Sequence, residues 1–290
     1  MIPRRKLLAA SVIAGTALPG LRAAADEADG KLQHGIAALE QRHGGRLGVA
    51  VLDTATMRVA AHRGDERFPL CSTFKYLAAA FVLARVDRRQ EDLARRIVYT
   101  RDDLVTYSPV TGKHAGGDGL TVGEVCEAAM TLSDNTAGNL LLDSFGGPAG
   151  LTSYLRSLGD EVTRLDRRET GLNQAIPGDP RDTTTPAAML GTLHRTLIGT
   201  ALSPSSRDQL AAWLIGSRTG DKRLRAGVPE GWRVGDKTGS GENNATNDIA
   251  AIWPPGRAPL LVAAYYVEAR ASDDERNAVL SDAGRLAAGI

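Results

Sequence analysis

Cysteine, aromatic side chains and any surplus of charge are scarce in this 290-residue sequence, and each shortage closes off a class of function. Cys71 and Cys126 are the only cysteines, so there is no disulfide framework and no Cys-x-x-Cys half of a zinc site. An oxidising compartment would permit a bridge between them. Their spacing alone cannot bring the two Cα atoms into range, and both are expected as buried small hydrophobes. The 35 basic and 34 acidic side chains leave a net charge of +1, and aromatics make up 4%. Such a chain offers a polyanion no basic footprint and single strands no stacking platform, so nucleic acid is not expected as a partner. His34, His43, His62, His114 and His194 show no metal-ligand spacing, and no Gly-x-Ser-x-Gly elbow is present. No metal or other cofactor is expected.

The amino terminus reads as a targeting segment. Arg4, Arg5 and Lys6 precede an uncharged stretch from Leu7 to Leu21. That stretch is shorter than the roughly 20 residues a membrane span requires. Ala23-Ala24-Ala25 then supplies small residues for cleavage, which assigns 1–25 to a signal peptide. The paired arginines leave both the twin-arginine and the plain secretory route open. Cleavage after Ala25 would leave 31 basic and 34 acidic groups, a net charge of −3. The expectation is an exported protein, periplasmic or secreted, free of the membrane once processed. No oligomerisation surface is evident, so monomer is the default.

Periodicity divides the remainder unevenly. A helix is expected from Ala28 to about Gln41, then strands at Arg46–Asp53 and Arg58–His62. Phe74 to Val86 is apolar all round, the mark of a fully buried helix. Thr121 with Glu124 forms a capping box ahead of an apolar stripe, and Pro148, Pro186 and Pro204 open three more helices. Three strands follow, Arg233–Asp236, Asp248–Trp253 and Leu260–Glu268, before a last amphipathic helix, Asp273–Ala288. The fold class is therefore α/β in the α+β sense. A five-stranded antiparallel sheet flanked by terminal helices (26–65 and 219–290) would carry an inserted all-helical domain (66–218). Thr100–Gly119 and Arg167–Asp182 remain as long irregular stretches, and loops of that length are commonly functional.

Lysine is informative because only six are present. Lys75 follows Ser72 by three residues, which places both side chains on one face at the start of the apolar helix. An amine buried there would have a lowered pKa and could accept the hydroxyl proton. The bland alternative is a helix cap with a surface lysine. Ser133-Asp134-Asn135 falls between two helices, and Lys237-Thr238-Gly239 with Ser240 follows a predicted strand whose edge could present backbone N–H groups to an oxyanion. Glu169 and Asn173 stand four residues apart in the second long loop.

Ser-x-x-Lys, Ser-Asp-Asn and Lys-Thr-Gly in this order resemble the class A serine β-lactamases. The stretches Asp166-Arg167-Arg168-Glu169, Leu172-Asn173 and Pro177–Thr184 are similar to that family's omega loop, 167–182 here. The resemblance covers essentially the whole mature chain and implies a β-lactamase/transpeptidase-like fold. It also implies hydrolysis of penicillins and cephalosporins through a serine acyl-enzyme, with a small β-lactam as the partner and no cofactor.

The implied catalytic residues are Ser72 as nucleophile, Lys75 or Glu169 (through a water) as acceptor of its proton, Ser133 as relay to the leaving nitrogen, and Lys237 as its assistant. Glu169 and Asn173 would activate the hydrolytic water, and the N–H groups of Ser72 and Ser240 would form the oxyanion hole. Asn135 would bind the substrate's side-chain amide, and Thr238, Ser240 and Arg223 its carboxylate. Tyr107 would flank the cleft. A packed loop aromatic at Tyr107 and a solvated strand-edge charge at Arg223 are the plainer readings. An ion pair between Arg167 and Asp182 would close the loop's neck.

Three departures stand out. Thr170 occupies the place where many members have a cis-linked proline. Cys71 is present, but Gly241 holds the position of the second cysteine found in carbapenem-hydrolysing members, and Cys126 faces Ala79 at the other family pairing. Both departures favour free thiols. Thr246–Ala250 with Ser240 is similar to the extended-spectrum cephalosporinases. The competing functions are a penicillin-binding DD-peptidase and a β-lactam sensor domain, and the Glu169–Asn173 pair discriminates because rapid deacylation requires it.

Overall fold

The computed structural model describes the backbone of residues 19–290 and the side chains from Gly30 onward, so most of the expected signal peptide lies outside the described residues. Helix α1 (Pro19–His43) begins earlier than its apolar pattern suggests. Gly44 and Gly45, both with positive φ, turn the chain into the hairpin β1 (Arg46–Asp53) and β2 (Arg58–His62). A two-residue strand, β3 (Phe68–Pro69), leads through a 3₁₀ turn at Cys71–Thr73 into α2 (Phe74–Asp87). Strand β4 (Arg96–Ile97) pairs with β5 (Leu120–Thr121) across the first irregular stretch.

Three helices follow: α3 (Val122–Thr131), α4 (Asn135–Asp143) and α5 (Gly147–Ser157). The second irregular stretch then ends in β6 (Thr183–Thr184), which pairs with β3. Helices α6 (Pro186–Leu197), α7 (Pro204–Ile215) and the short α8 (Leu224–Gly227) precede β7 (Arg233–Ser240), β8 (Thr246–Trp253), β9 (Leu260–Val267) and α9 (Asp273–Ala287). No described helix is long and apolar enough to cross a membrane.

The five long strands form one antiparallel sheet in the order β2-β1-β9-β8-β7. Its two faces are covered by different elements. Leu47, Val49 and Val51 of β1 pack with Leu32 and Ile36 of α1 and Val279 and Leu280 of α9. Ala50 and Leu52 point the other way, into a core with Phe74 and Leu77 of α2. Covering both faces explains why β9 reads as an unbroken apolar run and is buried at every position. Helix α2 lies at the centre of the second core, and truncating a residue such as Leu77 to Ala would cost about 2–5 kcal/mol.

Capping follows the sequence closely. Thr121 and Glu124 make the reciprocal box at α3, and Thr185 caps α6 with Pro186 in its first turn. Strand β7 departs from expectation by continuing through Lys237, Thr238, Gly239 and Ser240, which pair with Ile249, Asp248, Asn247 and Thr246. The Lys-Thr-Gly motif is thus part of the edge strand and does not follow it. Its lysine and glycine lack strand propensity, and the ladder with β8 overrides that.

Candidate active site

The 3₁₀ turn places Ser72 at the foot of α2, where Cys71 takes a positive φ of 44°. One turn on, Lys75 is fully buried. Its Nζ donates to Ser72 Oγ at 2.9 Å, Ser133 O at 2.8 Å and Asn135 Oδ1 at 2.6 Å, and lies 2.8 Å from Glu169 Oε1. Burial lowers the Lys75 pKa from its usual value despite the opposing Glu169 carboxylate. The amine is therefore within reach of the hydroxyl and biased towards giving up its proton, as the spacing suggests.

Glu169 enters from the omega loop through a cis Glu169–Thr170 peptide. Its Oε1 accepts from Ser72 Oγ at 3.3 Å and its Oε2 from Asn173 Nδ2 at 2.5 Å. The loop's neck is closed by Arg167 Nε on Asp182 Oδ2 at 2.5 Å, while Asp182 Oδ1 accepts the N–H groups of Asp166 and Arg167. Asn139 of α4 grips Glu169 itself, accepting its N–H at 2.9 Å and donating to its carbonyl at 3.0 Å. Sequence reading missed this residue. The available signal was a second asparagine one helical turn after Asn135, on the same face.

Ser133, at a φ of 58°, lies between two lysines. Its Oγ accepts from Lys237 Nζ at 3.0 Å and from Lys75 Nζ at 3.5 Å. Lys237 is fully buried and also donates to Thr238 O at 2.7 Å. Burial first, then the neighbouring charge of Lys75, push its pKa well below the lysine range. Asp134 caps α4 through Ala137 N and accepts from Val110 N, Thr111 N and Thr111 Oγ1, tying the first irregular stretch to the helix. The carbonyls of that stretch at Thr106 and Tyr107 accept from Asn135 Nδ2 and N. The side chain of Tyr107 is 56% exposed at the mouth and is not packed into the loop.

These groups surround a cleft of about 340 Å³. Ser72, Ser133, Asn135, Asn173, Thr238 and Ser240 line it, together with Tyr107 and Arg223. Lys75, Glu169 and Lys237 lie buried behind its floor. Thr219 also lines it, 2.6 Å from Thr238 Oγ1, and sequence reading did not single it out. Arg223 is not on a strand and is half-buried at the wall of the cleft. It precedes α8 and donates to Gly239 O, Asn247 O, Ser240 Oγ and Asn277 Oδ1 at 2.7–2.9 Å. Cys71 and Cys126 are both free and buried, and burial pushes the Cys71 thiol up to about 12.

Comparison with known proteins agrees with this geometry. A sequence profile described as the β-lactamase enzyme family matches residues 31–289. The chain is 47% identical to β-lactamase CTX-M-8 of Citrobacter amalonaticus over 88% of this chain and 87% of that one. It is 48% identical to β-lactamase L2 of Stenotrophomonas maltophilia over 99% and 98%. An ancestral (GNCA) class A β-lactamase structure superposes with a TM-score of 0.87 at 66% identity, covering 88% of this chain and 98% of the other. The chain belongs to the β-lactamase enzyme family. It is a hydrolase of β-lactams with the class A, transpeptidase-like fold.

The family's departures can now be placed. Thr170 takes the cis linkage without proline. A Cβ added at Gly241 would lie 2.7 Å from Cys71 Sγ and 2.6 Å from Asn173 O. Position 241 is therefore the direct neighbour of Cys71, and glycine leaves that thiol without a partner while making room for the omega loop.

Proposed function

We propose that Ser72 is the acylating nucleophile and Glu169 the base for deacylation in this β-lactamase. One observation carries the reading: Ser72 Oγ has a buried amine at 2.9 Å and, at 3.3 Å, a carboxylate whose far oxygen is held by Asn173. In acylation Ser72 Oγ attacks the lactam carbonyl carbon, and its proton passes to Lys75 or, through a water, to Glu169. The N–H groups of Ser72 and Ser240 receive the oxyanion. As the C–N bond breaks, Ser133 delivers its proton to the ring nitrogen and takes one back from Lys75, 3.5 Å away. Lys75 has the Ser72 proton directly or from Glu169, at 2.8 Å. Lys237 Nζ, which donates to Ser133 Oγ at 3.0 Å, supports the transfer from Ser133 through this hydrogen bond.

Deacylation needs a water placed against the ester. Glu169 takes a proton from it, the oxygen attacks the acyl carbon, and Ser72 leaves with its proton restored. The Oδ1 of Asn173 is buried and has no hydrogen-bond partner among the described residues, which suits it to hold that water beside Glu169. Asn135 would take the substrate's side-chain amide, Thr238, Ser240 and Arg223 its carboxylate, and Tyr107 one wall of the cleft. Penicillins and cephalosporins are the proposed substrates. We assign 1–25 to an export signal, 26–65 with 219–290 to the α/β domain and 66–218 to the helical domain. The mature protein would act as an exported monomer.

Time-resolved intact-mass spectrometry with excess benzylpenicillin, run beside the loss of β-lactam absorbance, tests the reading. Rapid turnover with only a transient mass gain is expected of the parent. Glu169→Ala should acylate on Ser72 and then stall, losing about 10²–10⁴-fold in turnover. A parent protein that keeps its adduct would instead be a penicillin-binding or sensing protein. Parental turnover by Glu169→Ala would refute the role of that residue.

A further inference from the structure

Arg223 is held in an unusual way for a half-buried cation. All four of its hydrogen-bond acceptors are uncharged, and it forms no ion pair among the described residues. Nearby Arg225, by contrast, is paired with the buried Asp236. A second buried carboxyl nearby is Asp248, the third residue of β8, opposite Thr238. Its Oδ2 accepts the N–H of Leu224, the residue after Arg223, at 3.1 Å. Its Oδ1 is buried and has no hydrogen-bond partner among the described residues. Asp248 therefore anchors the backbone that carries Arg223 and makes no hydrogen bond to the guanidinium.

We propose that Asp248 is a positioning residue for the substrate's carboxylate, fixing the backbone beside Arg223 while leaving the guanidinium unpaired for the incoming anion. Electrostatics supports this. Burial and then the Asp236 charge push the Asp248 carboxyl well above the usual carboxylate range, although Arg223 pulls the other way. The Asp248 carboxyl accepts the Leu224 N–H and bonds no nitrogen of Arg223, so it does not occupy the donors that a substrate carboxylate would use. Burial lowers the Arg223 pKa from its usual value although the Asp248 and Asp236 carboxyls pull the other way, and its four hydrogen bonds to uncharged acceptors hold it in place. The inference rests on Arg223 receiving the carboxylate, as proposed above.

The test is steady-state kinetics on Arg223→Ala, Asp248→Ala, Asp248→Asn and the double alanine variant, with benzylpenicillin and with its methyl ester. Asp248→Ala should raise KM for the acid about tenfold and change kcat by less than about twofold, a split that marks lost binding and not lost chemistry. The penalty should vanish with the ester, which has no carboxylate to bind. It should also vanish in the Arg223→Ala background, because Asp248 acts through that residue. Asp248→Asn, uncharged and still an acceptor for Leu224 N–H, should recover most of the loss. If the alanine variant does not fold, Asp248→Val, β-branched and without an acceptor, carries the same expectations. Parental KM in the Asp248 variants alongside a raised KM in Arg223→Ala would overturn this inference and spare the Arg223 reading. So would an Asp248 penalty that is equal on acid and ester or multiplies with that of Arg223→Ala. Parental KM in Arg223→Ala would sink the Arg223 reading itself.

Discussion

Asn139→Ala is the sharpest test of how Glu169 is held. Asn139 is buried in α4, where its side chain satisfies both the N–H and the carbonyl of Glu169, at 2.9 and 3.0 Å. Alanine removes both partners at once. A buried backbone group left unsatisfied costs about 1–3 kcal/mol, so the pair should cost about 2–6 kcal/mol. For a chain of this size that corresponds to a fall in Tm of about 5–15 °C. The catalytic consequence should be selective. Ser72 and Lys75 keep their 2.9 Å contact, so acylation should survive. A Glu169 carboxylate displaced by about 1 Å should slow deacylation about 10²-fold. Calorimetry gives the first quantity, and pre-steady-state mass spectrometry with benzylpenicillin gives the second as accumulated acyl-enzyme. A variant that melts within about 1 °C of the parent and turns over without accumulating an adduct would refute the argument.

Three further outcomes follow from single contacts. Gly241→Ala should slow turnover and build up acyl-enzyme in the same mass assay, because the added Cβ would sit 2.6 Å from the backbone carbonyl of Asn173 and force the omega loop to move. Asp134→Ala strips a fully buried carboxylate from four donors, so urea unfolding should show a loss of about 3–5 kcal/mol. Glu40 supplies the pH dependence: burial alone would raise its pKa, but bonds from Arg63 and Leu47 N–H outweigh this and bring it down from 4.5 to about 2. Its contribution is therefore present above pH 4.5 and is lost as the pH falls through about 2. Glu40→Gln should destabilise by about 1–2 kcal/mol at pH 7, after discount for partial exposure, and the difference from the parent should close near pH 2. Urea unfolding across that range would expose a pH-independent difference, which would contradict the linkage.

What the sequence disclosed and what it hid differ by the range of the interaction. Ser72 with Lys75, and Glu169 with Asn173, are local pairs, three and four residues apart, and local spacing survives as pattern. The helices were legible because one stripe of each meets a core, and the caps were legible because a cap's partner is three residues away. The polar residues that position the site were not legible, because their partners are distant in the chain. Asn139 reaches Glu169 thirty residues on, and Asp248 meets Leu224 across twenty-four. Neither separation leaves a mark in a one-dimensional pattern.

Local conflict was nonetheless visible. A strand that reads Asn247-Asp248 before Ile249-Ala250-Ala251-Ile252 sets two polar residues in a ladder that is buried at every one of these positions. Likewise Lys237 and Gly239, on either side of Thr238, extend a strand with two residues that disfavour one. Such local choices are costly, and they survive where the surrounding fold compensates or where function requires them. Here both conflicts lie on adjacent strands at the same edge of the sheet, with Thr238 opposite Asp248 and Gly239 opposite Asn247. The departures from strand propensity at β7 and β8 thus fall together beside Arg223, where the substrate's carboxylate is proposed to bind.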